Sequence, residues 1–241
     1  MLEVVQNIYK LSGWWDQVDL GSNVYLIADG GTLTLVDAGY GGKAREILKR
    51  VYGLGFFPTR ISNIIITPHH PDHIGGLAAL KEITKANIIA HCDDVPYIEG
   101  RLPQPGPSRP AWLHDAVAPL ATMFKTTPVK IDITVNDGDE LPVAGGMKIL
   151  HTPGHTPGSI CIFLRQKGVV MTGDLLAQRF GLKLPSMPFT VDISQEIASI
   201  NKLTGQEFEV ACFGHGSPIR YRAGERVAEF ARRLDHKKPY C

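Results

Sequence analysis

The chain has 241 residues, of which 44% are hydrophobic, 20% charged and 8% aromatic. That composition excludes a disordered or fibrous protein and suffices for a substantial core in one domain. Lys plus Arg (25) balance Asp plus Glu (24), so the charge needed for non-specific binding to a polyanion is absent. No apolar run approaches the ~20 residues of a membrane helix, and the opening MLEVVQNIYKLSGWW lacks the basic and apolar blocks of a secretory signal. The expectation is a soluble cytoplasmic protein that acts on a small molecule, with no nucleic-acid or membrane partner; a homo-oligomer is left open. Cys92, Cys161, Cys212 and Cys241 have no CxxC spacing and read as reduced, structural thiols.

In chain order, Asn23 to Asp37 reads as two β-rich runs around a Gly-Gly turn, a hairpin that ends in an acid. A helix is expected over Lys43 to Tyr52, followed by a short apolar strand, Asn63 to Thr67, that runs straight into histidine. From Pro96 to Pro128 the character changes. PQPGPSRP is a loop composition, and Trp112, Leu113, Ala116, Val117, Leu120, Met123 and Phe124 then recur at helical spacing, which predicts an inserted helix. That helix either packs on the core or covers a binding cleft. Met147 to Leu150 is a strand that leads into HTPGH. Gly158 to Asp174 repeats the hairpin plan, a helix capped by Asp192 is expected over Ser194 to Leu203, and Glu209 to Phe213 is again a strand that meets histidine. The repetition reads as a weak internal duplication, and strands interleaved with helices predict a layered α/β sandwich whose functional groups gather at one edge.

Histidines and acids concentrate at these strand ends. Thr67 to Gly76, TPHHPDHIGG, holds His69, His70, Asp72 and His73 in what reads as a turn; HTPGH supplies His151 and His155, MTGD supplies Asp174, and FGHGS supplies His215. One histidine alone is most often a core or surface residue. Imidazoles and carboxylates together, with few thiolates, suit zinc, iron or manganese in an open catalytic type of site.

At these residues the chain resembles the metallo-β-lactamase superfamily, in the manner of its glyoxalase II-like and lactonase-like members. TPHHPDHIGG fits the family motif T-H-x-H-x-D-H-x-G-G except at Pro68, and LVDAG, HTPGHTPGS, MTGD and GHGSP follow in the family's order. The resemblance runs from about Asn23 to Pro218 and implies an αββα four-layer sandwich with a metal centre between its halves. It implies a first metal site of His70, His155 and Asp174, and a second of Asp72, His73, His215 and the bridging Asp174. Zinc is the first expectation, with iron or manganese as alternatives, and with one or two ions bound.

Pro68 stands where the family has its first histidine and offers no donor, so the first site is a ligand short and its occupancy is expected to be partial. His69 could fill the gap only if proline reshaped the turn, because neighbouring side chains on an extended backbone point apart. It is therefore expected to face solvent. Asp37 and His151 are candidate partners of ligating imidazoles, and Arg179 and Lys183, in the loop after Asp174, could hold a substrate carboxylate.

The activity implied is hydrolysis of a small ester, lactone or thioester by a metal-activated hydroxide, with Asp72 orienting the nucleophile and one apolar substrate group under the insertion. The stretch after His215 has room for one helix, Ala223 to Leu234, and not for a helical glutathione-binding domain. A non-catalytic ligand-binding or regulatory module with a degenerate metal site is the alternative. A phosphodiesterase or an iron-dependent redox enzyme fits less well, because charge is balanced and Pro68 removes an iron ligand.

Overall fold

The computed structural model describes residues 1–11, 21–103 and 126–236. The expected insertion helix, with Trp112, Met123 and Phe124, lies outside the described residues. A seven-stranded sheet opens the chain: β1 (Leu2–Val5), β2 (Ile8–Lys10), β3 (Tyr25–Asp29), β4 (Thr32–Val36), β5 (Ile61–Ile65), β6 (Asn87–His91) and β7 (Ile133–Val135) pair in that order. β1 to β4 are antiparallel, and β4 to β7 are parallel through helical crossovers. The crossovers carry α1 (Ala44–Gly53), α2 (Pro71–Ile74), α3 (Leu77–Thr84) and α4 (Val95–Ile98).

The second sheet has the order β14-β11-β10-β9-β8, from β8 (Glu140–Leu141), β9 (Met147–His151), β10 (Ile160–Leu164), β11 (Val169–Met171) and β14 (Val210–Cys212). A small third sheet joins β12 (Ala177–Gln178), β13 (Leu182–Lys183) and β15 (His215–Gly216). α5 (Ile193–Thr204) and α6 (Ala223–His236) complete the chain.

Period-two patterning makes this four layers. Leu26, Leu35, Ile64 and Ile88 share a core with Ile47 and Val51 of α1 and Leu77 and Leu80 of α3. Their sequence neighbours Ile27, Val36, Ile65 and Ile89 point the other way, into a core with Met147, Ile149, Ile160, Ile162 and Met171 of the second sheet. Cys161, Phe163, Val170 and Ala211, on the far face of that sheet, pack with Ile200, Leu203, Val227 and Phe230 of α5 and α6. The order is helix, sheet, sheet, helix. Strands buried on both faces read as unbroken apolar runs such as ICIFL, and each fully buried Leu or Ile contributes roughly 1.5–3 kcal/mol.

The two hairpins of the sequence form as β3–β4 and β10–β11, and each continues through a helix into a strand parallel to its second member: β4 beside β5, and β11 beside β14. Gly30 and Gly31 turn the first hairpin with φ of 52° and 88°, a backbone that β-branched residues resist. Asp192 caps α5 by accepting a hydrogen bond from Gln195 N–H at 3.0 Å. Thr67 to Gly76 departs from the expected turn: Pro71 fits the first turn of a helix, and the segment coils into α2 and runs on into α3. Among the described residues no helix is long and apolar enough to cross a membrane.

Candidate metal centre

β4, β5 and β6 run parallel, as do β11 and β14, and β9 lies two antiparallel steps from β11. The ends of these strands therefore open on one edge, where the two sheets meet: Ile160 N–H of β10 donates to Thr67 O at 3.1 Å. Asp37, the segment after β5, the HTPGH loop, Asp174 and His215 are all delivered to that edge. The glycines of the first motif let the backbones close up. A Cβ on Gly75 would lie 2.3 Å from Gly41 N, and one on Gly76 would lie 2.3 Å from Ala38 O, in the loop that follows Asp37.

Two groups of donors result, His70 with His155 and Asp174, and Asp72 with His73 and His215; within each group the ligand atoms lie within 4.8 Å of one another. Asp174 joins the two. Its Oδ2 is 3.3 Å from Nε2 of His73, of His155 and of His215. Asp72 Oδ2 is 3.2 Å from His215 Nε2 and 3.8 Å from His73 Nε2. A Cβ on Gly214 would fall 2.0 Å from Asp174 Oδ1, so the first glycine of GHG is room for this carboxylate.

The far side of the rings is anchored. His73 Nδ1 is 2.8 Å from Asp37 Oδ2, and Asp37, held at φ 65°, also accepts from Thr67 N–H (2.8 Å) and Thr67 Oγ1 (2.7 Å). His155 Nδ1 meets Thr190 Oγ1 at 3.1 Å, and His215 Nδ1 meets Gly21 O at 3.2 Å. These bonds direct the Nε2 atoms to the cluster. Nε2 of His73, Nε2 of His155 and Asp174 Oδ1 are buried without a hydrogen-bond partner among the described residues. Buried donors and acceptors that converge without partners are what a cation requires, and this all-imidazole and carboxylate set fits a divalent metal.

The electrostatics match. Burial pushes the His70 imidazole well below its ordinary value, helped by His155 and His69, so it is neutral and ready to ligate. Burial also opposes charge on His73, but Asp174, Asp37 and Asp72 outweigh it and hold that ring well above its ordinary value. His215 is pushed up to about 9, burial again being outweighed by Asp174 and Asp72. Burial would raise the Asp174 carboxyl, yet His215, His73 and His155 hold it well below the usual range. A cation must therefore displace protons from His73 and His215. Divalent-metal affinity is expected to rise with pH up to about 9, by about tenfold per pH unit for each proton displaced. Isothermal titration between pH 6 and 9 in buffers of different ionisation enthalpy counts those protons; affinity flat with pH would refute the coupling.

Other expectations need correction. His69 does not face solvent: it is fully buried, its ring stacks on Tyr97 at 4.5 Å, and its Nδ1 is 2.9 Å from Asp94 Oδ1 without hydrogen-bond alignment. Pro71 starts a helix directly after His70, and the His69 ring lies edge-on to that of His70, with centroids 5.2 Å apart. His151 is not the partner of a clustered imidazole; it stacks on His91 at 3.8 Å, with Nε2 2.8 Å from Pro157 O. Arg179 does reach the site, its Nη2 3.3 Å from His215 Nδ1, whereas Lys183 is exposed on β13. Cys161 and Cys212 are buried thiols pushed up to about 12 by burial, but Cys92 is exposed.

Residues without a sequence signal of their own do much of the bracing. Asp94, fully buried after β6, accepts from His69 N–H (3.0 Å), Thr156 Oγ1 (2.8 Å) and Gly158 N–H (2.7 Å), tying the first motif to the HTPGH loop. The strand ending HCDD follows the same pattern as LVD and TGD, and that was the available clue. On the opposite flank Lys10 Nζ donates to Gly216 O (3.0 Å), and Asn23 Nδ2 to Phe213 O (2.8 Å) and Gly216 O (2.7 Å), fixing the loop that carries His215.

The family model described as the metallo-beta-lactamase superfamily matches residues 18–215. "Probable metallo-hydrolase YflN" of Bacillus subtilis (strain 168) is 32% identical over 222 residues, covering 82% of this chain and 81% of the relative. "Thioesterase pkgB" of Emericella nidulans is 26% identical over 200 residues, covering 83% of this chain and 47% of the relative. The crystal structure of the metallo-beta-lactamase family protein TTHA1429 from Thermus thermophilus superposes with a TM-score of 0.74 at 22% identity, covering 97% of this chain and 81% of that one, a likeness of fold. With the four layers, the strand-end histidines and these matches in hand, the chain belongs to the metallo-beta-lactamase superfamily.

Proposed function

We propose that the protein is a metal-dependent hydrolase of a small ester, lactone or thioester, with His70, His155 and Asp174 as one set of ligands and Asp72, His73, His215 and Asp174 as the other. The observation that carries this reading is the meeting of three Nε2 atoms at 3.3 Å around one oxygen of Asp174, with buried nitrogens left unpartnered. Zinc suits the donors best, and iron or manganese would also be accepted. A divalent ion held there lowers the pKa of a bound water toward ~7 and polarises the bond under attack.

The chain's own groups do the rest. Asp72 is the more exposed of the two clustered carboxylates, 17% against 5% for Asp174, and is placed to orient the attacking water and take its proton. Asp37, Thr190 and the Gly21 carbonyl hold three imidazoles in place as charge develops. Phe189, 43% exposed with its ring 6.5 Å from that of His70, offers an apolar wall on the first-site side, and Arg179 offers a cation beside His215 for a substrate carboxylate. The thioesterase named among the relatives supports acyl chemistry.

Pro68 is buried and supplies no donor, so an ion beside His70 and His155 would be held by fewer protein ligands and would be the more easily removed. The test is turnover of a panel of thioesters, lactones and esters by zinc-loaded protein. Activity abolished by chelation and by His73→Ala or His215→Ala is expected. In Pro68→His the metal content should rise by up to one ion per chain. Metal-loaded protein inactive across the panel, phosphodiesters included, would favour the binding module.

A further inference from the structure

A third meeting of donors lies outside the family motifs. β6 runs out through His91 into Cys92 and Asp93, and β9 of the other sheet ends at His151, so both strand ends reach the same edge as the centre described above. His91 Nδ1 is 3.6 Å and His151 Nε2 is 3.9 Å from the same oxygen of Asp93, Oδ2. One ligand atom from each of the three residues falls within 4.8 Å of the others. The two rings are stacked, with centroids 3.8 Å apart and planes 14° from parallel. The thiol of Cys92 borders the group, its Sγ 3.8 Å from His91 Nδ1 and 3.5 Å from Asp93 Oδ1.

We propose that His91, Asp93 and His151 form a second, separate divalent-cation site that clamps the first sheet to the second. Separations of 3.6 and 3.9 Å are too long for hydrogen bonds and close to the spacing of about 3–3.5 Å between donors that share one ion at ~2.1 Å. The His91 Nδ1 lone pair faces Asp93, where it accepts a hydrogen bond from Asp93 N–H at 3.3 Å that an ion would displace. Asp93 is 52% exposed and leaves an entry path. Asp137, whose Oδ1 accepts from His151 N–H at 2.8 Å, is ion-paired with Lys202 Nζ at 2.7 Å and adds no net charge. Two imidazoles with one carboxylate and a neighbouring thiol select a borderline metal such as zinc, cobalt or nickel over magnesium or calcium.

Parallel rings cannot both aim their in-plane lone pairs at one ion. Binding therefore turns the His151 ring out of the stack and exchanges its 2.8 Å bond to Pro157 O for the metal. Because His151 opens the loop that ends at His155, the ion would also stiffen that loop from outside the catalytic cluster. The site does not depend on the hydrolase reading, since none of its ligands belongs to that cluster.

The full chain is dialysed against Co2+ alone and the bound ions are counted by elemental analysis, in the unaltered protein, in Asp93→Ala and in His151→Gln. Asp93 is exposed, so its removal leaves the core intact. One ion fewer per chain is expected in each variant. In side-chain 1H–15N spectra, Co2+ should shift or broaden the His91 and His151 resonances in the unaltered protein and equally in Asp174→Asn, which disrupts both groups of donors around Asp174 and so separates this site from the catalytic one. An unchanged ion count in Asp93→Ala, or imidazole signals of His91 and His151 untouched by Co2+, would show that the stacked pair only braces the sheets and would overturn the proposal.

Discussion

Asp174→Asn is expected to lose catalysis and most of the bound metal while keeping its fold. The carboxylate is the shared oxygen for Nε2 of His73, His155 and His215, each at 3.3 Å, so its loss touches both groups of donors together. Replacing a residue that merely supports a ligand typically costs about 10–100-fold in metal affinity or activity. Removing the shared carboxylate should cost at least about 100-fold, a barrier increase of roughly 3 kcal/mol or more. Asparagine preserves the shape next to Gly214, whose missing Cβ would come within 2.0 Å of Asp174 Oδ1, so the loss is electrostatic and not a cavity effect. Metal content after dialysis and kcat on the best substrate of the panel measure it. Near-native values of both in Asp174→Asn would mean that the carboxylate is not the bridge.

Asp94→Ala should damage stability more than any surface change, although Asp94 touches none of the clustered nitrogens of the metal centre. It is fully buried, and its carboxylate gathers the His69 and Gly158 N–H groups and the Thr156 hydroxyl from two separate loops. Alanine leaves both N–H groups buried and unpaired and the Thr156 hydroxyl with Ser159 Oγ alone, at 2.8 Å. Breaking a buried charged network by removing one partner costs about 3–5 kcal/mol, which for a chain of this size lowers Tm by on the order of 10 °C. The pH dependence has a definite sign. Burial works to raise the Asp94 carboxyl, but His69, Thr156 and Gly158 outweigh it and hold the folded-state value below the ordinary one. Its contribution is therefore fully present above the unfolded value of about 3.9 and is lost as pH falls through the folded value. Urea unfolding at neutral pH and near pH 3 checks both points. A cost below about 1 kcal/mol at neutral pH would show that solvent or another group satisfies those donors.

The two losses have different origins. Asp174 acts through the atoms it presents to the cluster, and Asp94 acts by holding together the loops that bring His70 and His155 within 4.5 Å, ring to ring. A variant that loses stability but recovers activity on cooling belongs to the second kind.

Much of this was legible in the residues. The hairpins, the capped helix after Asp192, the strand-end acids and the histidine order stood in the sequence because each depends on local rules: turn glycines, period-two alternation and a side-chain cap. His69 shows where such rules stop. Its neighbour in the motif could be named, but its burial against Tyr97 and Asp94 depends on α4, whose placement follows from packing and not from any feature of TPHHPDH. His151 shows the same limit from the other side. Its motif placed it near the centre, yet the packing of one sheet on the other set the end of β9 beside that of β6 and gave it to His91.

By itself the sequence determined which groups are available: imidazoles and carboxylates at strand ends, a proline in place of one donor, and apolar runs long enough for two buried sheets. These are properties of short segments, where backbone sterics and side-chain chemistry act over a few residues. Only the tertiary structure decided which of those groups meet. The convergence of His73, His155 and His215 on one oxygen of Asp174, the diversion of His69 to Asp94 and the stacking of His91 on His151 each join residues far apart in the chain. Such contacts are fixed by how two twisted sheets pack face to face.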